Sequence, residues 1–157
     1  MIANLNIPSL GIKYPVLSST STALLKISLN KYWGANPNEV GNMKTPLPEA
    51  VDNLMKDLLK EYNSKKEKTF EDILDFHVQF ERIHPFQDGN GRVGRIIAFK
   101  ECLKNNIIPF IILDKDKLFY YRGLNQYQNN KEKGYLIDTC LNAQDQYCRM
   151  IEHFLKQ

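Results

Sequence analysis

No stretch of the chain approaches the roughly 20 consecutive apolar residues of a membrane span, and no basic start followed by an apolar run marks a leader. A soluble, cytoplasmic protein without membrane partners is therefore expected. Cysteine is scarce and odd in number. Cys102, Cys140 and Cys148 show neither metal-ligand spacing nor a pairing scheme, which fits a reducing compartment and roles in packing. Charge of one sign is also lacking, since 21 Lys and Arg against 18 Asp and Glu leave a net +3 and no electrostatic case for nucleic acid. The basic run Lys65-Lys66-Glu67-Lys68 is interrupted by an acid and reads as a solvated loop. Of three histidines, no two stand at His-x-x-x-His spacing, so any metal must arrive together with a ligand.

What is present is helical periodicity in one domain-sized chain of 157 residues, 43% of them hydrophobic. Residues 49–62 place Val51, Leu54, Met55, Leu58, Leu59 and Tyr62 on one stripe. A Thr69-x-x-Asp72 capping box opens a second helix over 69–83 that carries Phe70, Ile73, Leu74, Phe76, Phe80 and Ile83. A third runs from Arg92 to about Asn105 and is expected to bury Val93, Ile96, Ile97 and Leu103. Ile107–Leu113, broken by Pro109, reads as extended or as a buried helical turn. Further helices over 117–128 (Tyr120, Tyr121, Leu124, Tyr127) and 135–155 (Leu136, Cys140, Ala143, Tyr147, Met150, Ile151, Phe154) close a bundle. Gly34, Pro37, Gly41, Pro46 and Pro48 break the stretch 33–48, in which 38–43 turns either a short hairpin or an ordinary loop. Residues 1–33, Pro-containing and Ser/Thr-rich, form a separate segment of uncertain role ahead of a domain over 34–157.

The densest chemistry lies in His84-Pro85-Phe86-Gln87-Asp88-Gly89-Asn90-Gly91-Arg92-Val93-Gly94-Arg95. Pro85 disfavours the α region for the residue before it, so the preceding helix should stop near His84 and leave the imidazole at a helix end. Gly89-Asn90-Gly91 tolerates left-handed geometry and can aim successive amides at one anion. A helix restarting near Arg92 adds unpaired N–H groups and the positive end of its dipole. Arg92 and Arg95 share one helical face, and two guanidinium forks suit adjacent phosphates. Asp88, the one acid in the motif, reads either as a salt-bridge partner of these arginines or as the carboxylate that Mg²⁺ borrows beside polyphosphate. His77, seven residues before His84, reads as a structural histidine, and His153 as a surface one.

The motif matches His-x-Phe-x-(Asp or Glu)-Gly-Asn-Gly-Arg-x-x-Arg in full, and the chain resembles the Fic (Fido) family of AMP-transferring enzymes. The resemblance runs from about Gly34 to the C-terminus, through 76–83 upstream and 119–124 downstream of the motif. It implies a mostly α fold, a helical bundle with a small β-hairpin flap over the active site. It further implies that His84 deprotonates a side-chain hydroxyl of a target protein, which attacks the α-phosphorus of ATP and expels pyrophosphate. Asp88 would hold Mg²⁺, Gly89, Asn90 and Gly91 would form the anion cradle, and Arg92 and Arg95 would bind the β and γ phosphates. Phe86 would anchor the loop, and Tyr121 would border the adenine. The flap, near residues 34–46, would pair with an extended segment of the target bearing a Ser, Thr or Tyr hydroxyl. Physics alone leaves the transferred group open, because charge neutralisation looks alike in kinases and nucleotidyl transferases. The phosphate-transferring Doc branch replaces the second glycine with lysine, and this chain keeps Gly91, which favours AMP.

Two alternatives stand beside AMP transfer: removal of AMP or transfer of another phosphate-linked group at the same site, and a non-catalytic nucleotide-binding module. His84 speaks against the last, since a phosphate binder has no use for a base. The inhibitory pattern of many Fic proteins, (Ser or Thr)-x-x-x-Glu-(Gly or Asn), has no full copy. Thr45-x-x-x-Glu49 contains Pro46 and Pro48, and Cys148-x-x-x-Glu152-His153 lacks the hydroxyl residue and the final Gly or Asn. Inhibition through Glu152, by an N-terminal segment since lost from 1–33, or by a separate antitoxin stays open, as does a second copy of the chain in a homo-oligomer. Abundant Asn, Lys and Ile suggest an AT-rich bacterial coding sequence.

Overall fold

The computed structural model describes residues 2–7, 12–17, 39–40, 43–86, 88–130 and 132–155, with side chains over 45–86, 88–130 and 132–153. It divides into two compact units, Met1–Trp33 and Gly34–Gln157. In the first, strands β1 (Ile2–Ile7) and β2 (Ile12–Leu17) pair antiparallel, Ile2 opposite Leu17 and Ile7 opposite Ile12. Sequence reading assigns no element there, because Pro15 interrupts the second apolar run. In a two-stranded ribbon each strand keeps an outer edge, where a residue without an N–H is tolerated.

The second unit is mostly helical. A two-residue antiparallel ladder joins β3 (Glu39–Val40) to β4 (Met43–Lys44). Five helices follow: α1 (Pro48–Ser64), α2 (Phe70–Ile83), α3 (Asn90–Lys104), α4 (Lys117–Asn130) and α5 (Gly134–Leu155), with a 3₁₀ turn over Asp114–Asp116. Proline at the start of α1 loses nothing, since the first-turn N–H groups have no partner inside the helix. The Thr69–Asp72 capping box forms in full at α2: the Asp72 amide donates to Thr69 Oγ1 at 3.2 Å and the Thr69 amide to Asp72 Oδ2 at 2.8 Å. Lys65 of the α1–α2 loop pairs with the same carboxylate, and with the caps it holds Asp72 at about 2, well below the usual carboxylate range.

Helix α2 is the centre of the packing, touching α1, α3 and α4, while α4 lies along α5. Ile73, Leu74 and Val78 of α2 meet Ala98 and Cys102 of α3, Tyr120, Leu124 and Tyr127 of α4, and Leu136, Cys140 and Ala143 of α5 in one buried cluster. Cys102 and Cys140 are packing residues with free thiols, as expected. Residues 107–113 form neither helix nor strand, with Pro109 and Phe110 buried, and the Gln144 amide of α5 donates to the Ile108 carbonyl.

Three expectations of burial are corrected. On α1 only Val51, Met55 and Leu58 are buried, and Leu54 and Leu59 face outward, because α1 packs chiefly on α2 alone and needs only a narrow stripe. On α3 the expected apolar residues lie off the core: Ile96 is 68% exposed and Leu103 53%. Besides Glu101, which is hydrogen-bonded to Tyr62 and Lys100, the buried residues of α3 are Asn90, Gly94, Ala98 and Cys102, four apart; the small last three let α3 come close to α2 and turn the bulky apolar side chains aside. The last turns of α5 carry Met150 and Ile151 outward, and the side chain of Phe154 lies outside the described residues.

Helices α4 and α5 meet at Gly123, where a Cβ would stand 2.8 Å from the Leu136 Cα. Alanine gains about 1 kcal/mol in helix propensity, yet overpacking against backbone that cannot rotate away costs roughly 1–3 kcal/mol. Gly123→Ala should therefore lower unfolding stability, by up to about 2 kcal/mol, in urea titration, and a stabilised variant would mean that the helices have room there.

Candidate active site

The motif spans the end of α2, the connection over 84–89 and the start of α3. His84 caps α2 in the left-handed region, φ 53°, ψ 56°, with its amide donating to the Phe80 carbonyl at 3.0 Å. A β-carbon disfavours that backbone by about 1–2 kcal/mol; it is the left-handed cap with which α2 ends, immediately before Pro85, where termination is expected from sequence. The half-buried imbedded imidazole makes one contact that sets its chemistry: Nδ1 lies 3.3 Å from the Glu81 carbonyl oxygen. A carbonyl only accepts, so the proton belongs on Nδ1 and Nε2 is left as the acceptor. Burial lowers the His84 pKa, against a smaller opposite effect of that carbonyl, which keeps the ring neutral near pH 7.

The turn is closed by Asn90. Its side chain is buried, accepting from the Phe86 amide at 2.8 Å and donating to the Phe86 carbonyl at 2.6 Å. Asn90, expected in the anion cradle, thus spends its side chain on holding the loop. Phe86 stacks its ring toward Phe80, 6.1 Å between centroids, in the anchoring role expected of it. Helix α3 begins at Asn90, two residues earlier than expected, with Gly89 at its N-cap in the left-handed region, φ 84°. No side-chain cap hydrogen bond is made at Gly89, and the first amides of α3 lie at the positive end of its dipole. The Val93 amide donates to the Gly89 carbonyl at 2.9 Å, closing the first turn.

Asp88 is almost fully exposed. One carboxylate oxygen accepts from the Gly89 amide at 2.7 Å and the other pairs with Arg92 at 2.9 Å. As a surface ion pair this is worth little by itself. The donor set still fits a hard cation brought by phosphates: a lone, solvent-facing carboxylate beside an anion site retains spare lone pairs for Mg²⁺. Among the described residues, no group of three His, Cys, Asp or Glu could hold a metal unaided. Arg95 lies one turn on, its guanidinium carbon 5.7 Å from the centre of the Tyr120 ring and one nitrogen 3.1 Å from the point a Gly91 Cβ would occupy. A cavity of about 350 Å³ opens beside Arg92 and Arg95, walled by Ile96, Phe99 and Phe110. A larger one of about 540 Å³, along α4 and α5 between Lys115 and Arg149, contains no motif residue. Tyr121 is exposed on α4 and lines neither.

Beneath the motif lies a polar cluster that the sequence analysis does not anticipate. His77 is fully buried, as a structural histidine should be, with Nε2 hydrogen-bonded to the Tyr120 hydroxyl at 2.5 Å. Among the described residues the Oε1 of Glu81 has no hydrogen-bond partner and His77 Nδ1 has at most a poorly aligned one in the Gly94 backbone; both approach Gly94, where an added Cβ would stand 3.0 Å from Nδ1 and 2.5 Å from Oε1. Burial, with the Arg95 charge adding to it and the Gly94 backbone opposing, lowers His77 to about 4. Burial raises Glu81 to about 7, with Arg95 opposing. Glu81 stands four residues after His77 and three before His84, a spacing that marks one face of α2, but nothing in the sequence says that the face is turned inward.

The Fic/DOC family model matches residues 20–101, just over half of the chain. Two curated relatives carry the name protein adenylyltransferase. A Probable protein adenylyltransferase of Aquifex aeolicus (strain VF5) is 36% identical over 75 residues, 46% of this chain and 23% of that protein. Protein adenylyltransferase Fic of Nematostella vectensis is 40% identical over 50 residues, 32% of this chain and 12% of that protein. The chain thus spans less than a quarter of the length of either. Among solved structures, a Fic-domain-containing signaling protein from Bacteroides thetaiotaomicron VPI-5482 shares the fold at a TM-score of 0.62 and 22% identity, over 73% of this chain and 50% of that one. A Fic family protein from Desulfovibrio desulfuricans G20 superposes at 0.61 with 26% identity, over 79% of this chain and 40% of that one.

The two buried groups predict opposite pH effects. Glu81 holds a proton in the fold up to about pH 7 but loses it near 4.5 when unfolded, so its contribution is lost as pH rises between those values. His77 is neutral in the fold down to about 4 but charges near 6.5 when unfolded, so its contribution is lost as pH falls through that window. Glu81→Gln removes only the first. Its stability relative to wild type should grow by on the order of 2 kcal/mol between pH 4 and pH 8 in denaturant titrations. A pH-independent difference would place the Glu81 carboxyl in water.

Proposed function

We propose, from the premise that this chain belongs to the Fic/DOC family, that it transfers AMP from ATP to a hydroxyl of a target protein and releases pyrophosphate. The observation that carries this reading is the neutral imidazole of His84, its proton tied to Nδ1 by the Glu81 carbonyl, standing beside the uncapped start of α3 and two arginines. In this reading Nε2 takes the proton of a Ser, Thr or Tyr hydroxyl as its oxygen bonds to the α-phosphorus and the bond to the β-phosphate oxygen breaks. The amides at Gly89, Asn90 and Gly91 receive the negative charge that grows on the phosphate oxygens, without reorganising to do so. Arg92 and Arg95 hold the β and γ phosphates and so favour departure of pyrophosphate. When bound, Mg²⁺ at Asp88 neutralises charge shared by the α and β phosphates. Tyr121 offers an exposed ring to the adenine.

The hairpin around Glu39–Lys44 serves as the flap, pairing its backbone with an extended stretch of the target. Main-chain pairing delivers a hydroxyl to His84 while reading little sequence. An inhibitory glutamate has three candidate sources: a separate antitoxin, an N-terminal segment, and Glu152 near the end of α5. The setting we propose is a bacterial cytoplasm. No helix among the described residues is long and apolar enough to cross a membrane.

Purified chain incubated with Mg²⁺, a bacterial lysate and ATP labelled on the α or the γ phosphate separates the readings. Protein label from α-labelled ATP only, reduced at least a hundredfold by His84→Ala, is the expected outcome, in line with the roughly 10²–10⁴ of a general base. Label from γ-labelled ATP would instead make the enzyme a kinase, and loss of α-label from a pre-modified target would make it an AMP hydrolase.

A further inference from the structure

On this nucleotide-transfer reading, we propose that Tyr120, locked in place by His77, is the positioning residue that holds Arg95 ready for the terminal phosphates of ATP. The two arginines of the motif are held in different ways. Arg92 pairs with Asp88 at the surface, where 59% and 89% of the two side chains are exposed, a contact that salt screens and water loosens. Arg95 lies against the face of a ring that is 1% exposed.

That ring cannot turn away. Tyr120 is packed in the central cluster between α2, α3 and α5, and its hydroxyl is tied to Nε2 of a fully buried histidine. Packing alone does not ask for this pair. Phenylalanine and leucine would fill the same volume without bringing an imidazole and a hydroxyl into the core, and buried polar groups are costly unless their hydrogen bonds are made. What the hydrogen bond adds is a fixed axis for the phenol, hence a fixed platform for the guanidinium above it. The backbone is fixed as well: Gly94, the residue before Arg95, is pressed so closely on His77 and Glu81 that no Cβ fits. Side chain and backbone of Arg95 are therefore oriented by three residues of α2 and α4 that touch no substrate. An arginine free in solvent loses extensive rotamer freedom on gripping a phosphate, and one already seated on a ring loses much less.

The test compares binding of ATP and of AMP by calorimetry, at fixed Mg²⁺, for wild type, Tyr120→Leu, Tyr120→Phe, Arg95→Ala and the Tyr120→Leu/Arg95→Ala double variant. Because Arg95 addresses only the β and γ phosphates, Tyr120→Leu should weaken ATP about tenfold and AMP less than twofold, and on the Arg95→Ala background it should have no further effect. Tyr120→Phe keeps the ring and loses the lock, so it should weaken ATP about threefold. If Tyr120→Leu does not fold, the Phe variant carries the same comparison. Equal losses for ATP and AMP, or the same loss with and without Arg95, would overturn the proposal and make Tyr120 a packing residue. A wild type that binds ATP no better than AMP would sink the phosphate role of Arg95 rather than its seating. Seating is read without nucleotide from the Arg95 Nε–Hε resonance: ring-shifted and ordered in wild type and averaged in Tyr120→Leu supports it, and no change between the two overturns it.

Discussion

At Gly94 there is no room for a side chain, and the arrangement of the site follows from that contact. The closest neighbours of a Cβ there would be the carboxyl of Glu81 and the ring of His77, both on α2. Helices α2 and α3 can approach this closely only along the small stripe Gly94, Ala98 and Cys102. Their separation fixes the distance the chain must turn between Ile83 and Asn90, and so where the imidazole of His84 stands relative to the first amides of α3. A larger residue would push the helices apart and move the base from the anion site together with the arginines that follow.

The close contact also explains a polar core that a stability argument alone would not choose. Two groups able to ionise, His77 and Glu81, are enclosed by burial and driven toward their neutral forms, one to about 4 and the other to about 7. Near pH 7 His77 is neutral and Glu81 carries only part of its charge, which leaves the Arg95 guanidinium available to an incoming anion. A charged Glu81 beneath Arg95 would compete with phosphate for the same guanidinium, and a charged His77 would repel it. The tyrosine between them stays protonated, since burial raises its hydroxyl far above the ordinary range.

The motif was legible in the sequence because its demands are local. Proline after His84, glycine at the helix start and arginines three apart each constrain their own few residues, and the capping box at Thr69 does the same. The helix positions were legible for that reason too. What escaped was everything set by distance between helices. Ile96 and Leu103 satisfy a helical stripe as well as Gly94 and Ala98 do, and only the nearness of α2 decides that the small residues go inside. Asn90 carries no sign that its amide will clamp Phe86 rather than meet a ligand. Tyr120 and His77 lie 43 residues apart, and no period connects them.

The unfavourable features gather on one short stretch of chain, and each sets a different variable of the same site. The left-handed backbone of His84 turns the ring out of α2 at the only place where its Nδ1 can reach the Glu81 carbonyl. A helical residue there would point its side chain along α2, and a glycine would remove the strain together with the imidazole. Asn90 then closes the turn with two hydrogen bonds to a single residue, so the base, the turn and the helix start move as one body. Sites that must hold charge in a set geometry are held this way, with strain and buried polarity kept where a well-packed core on α2 can bear them.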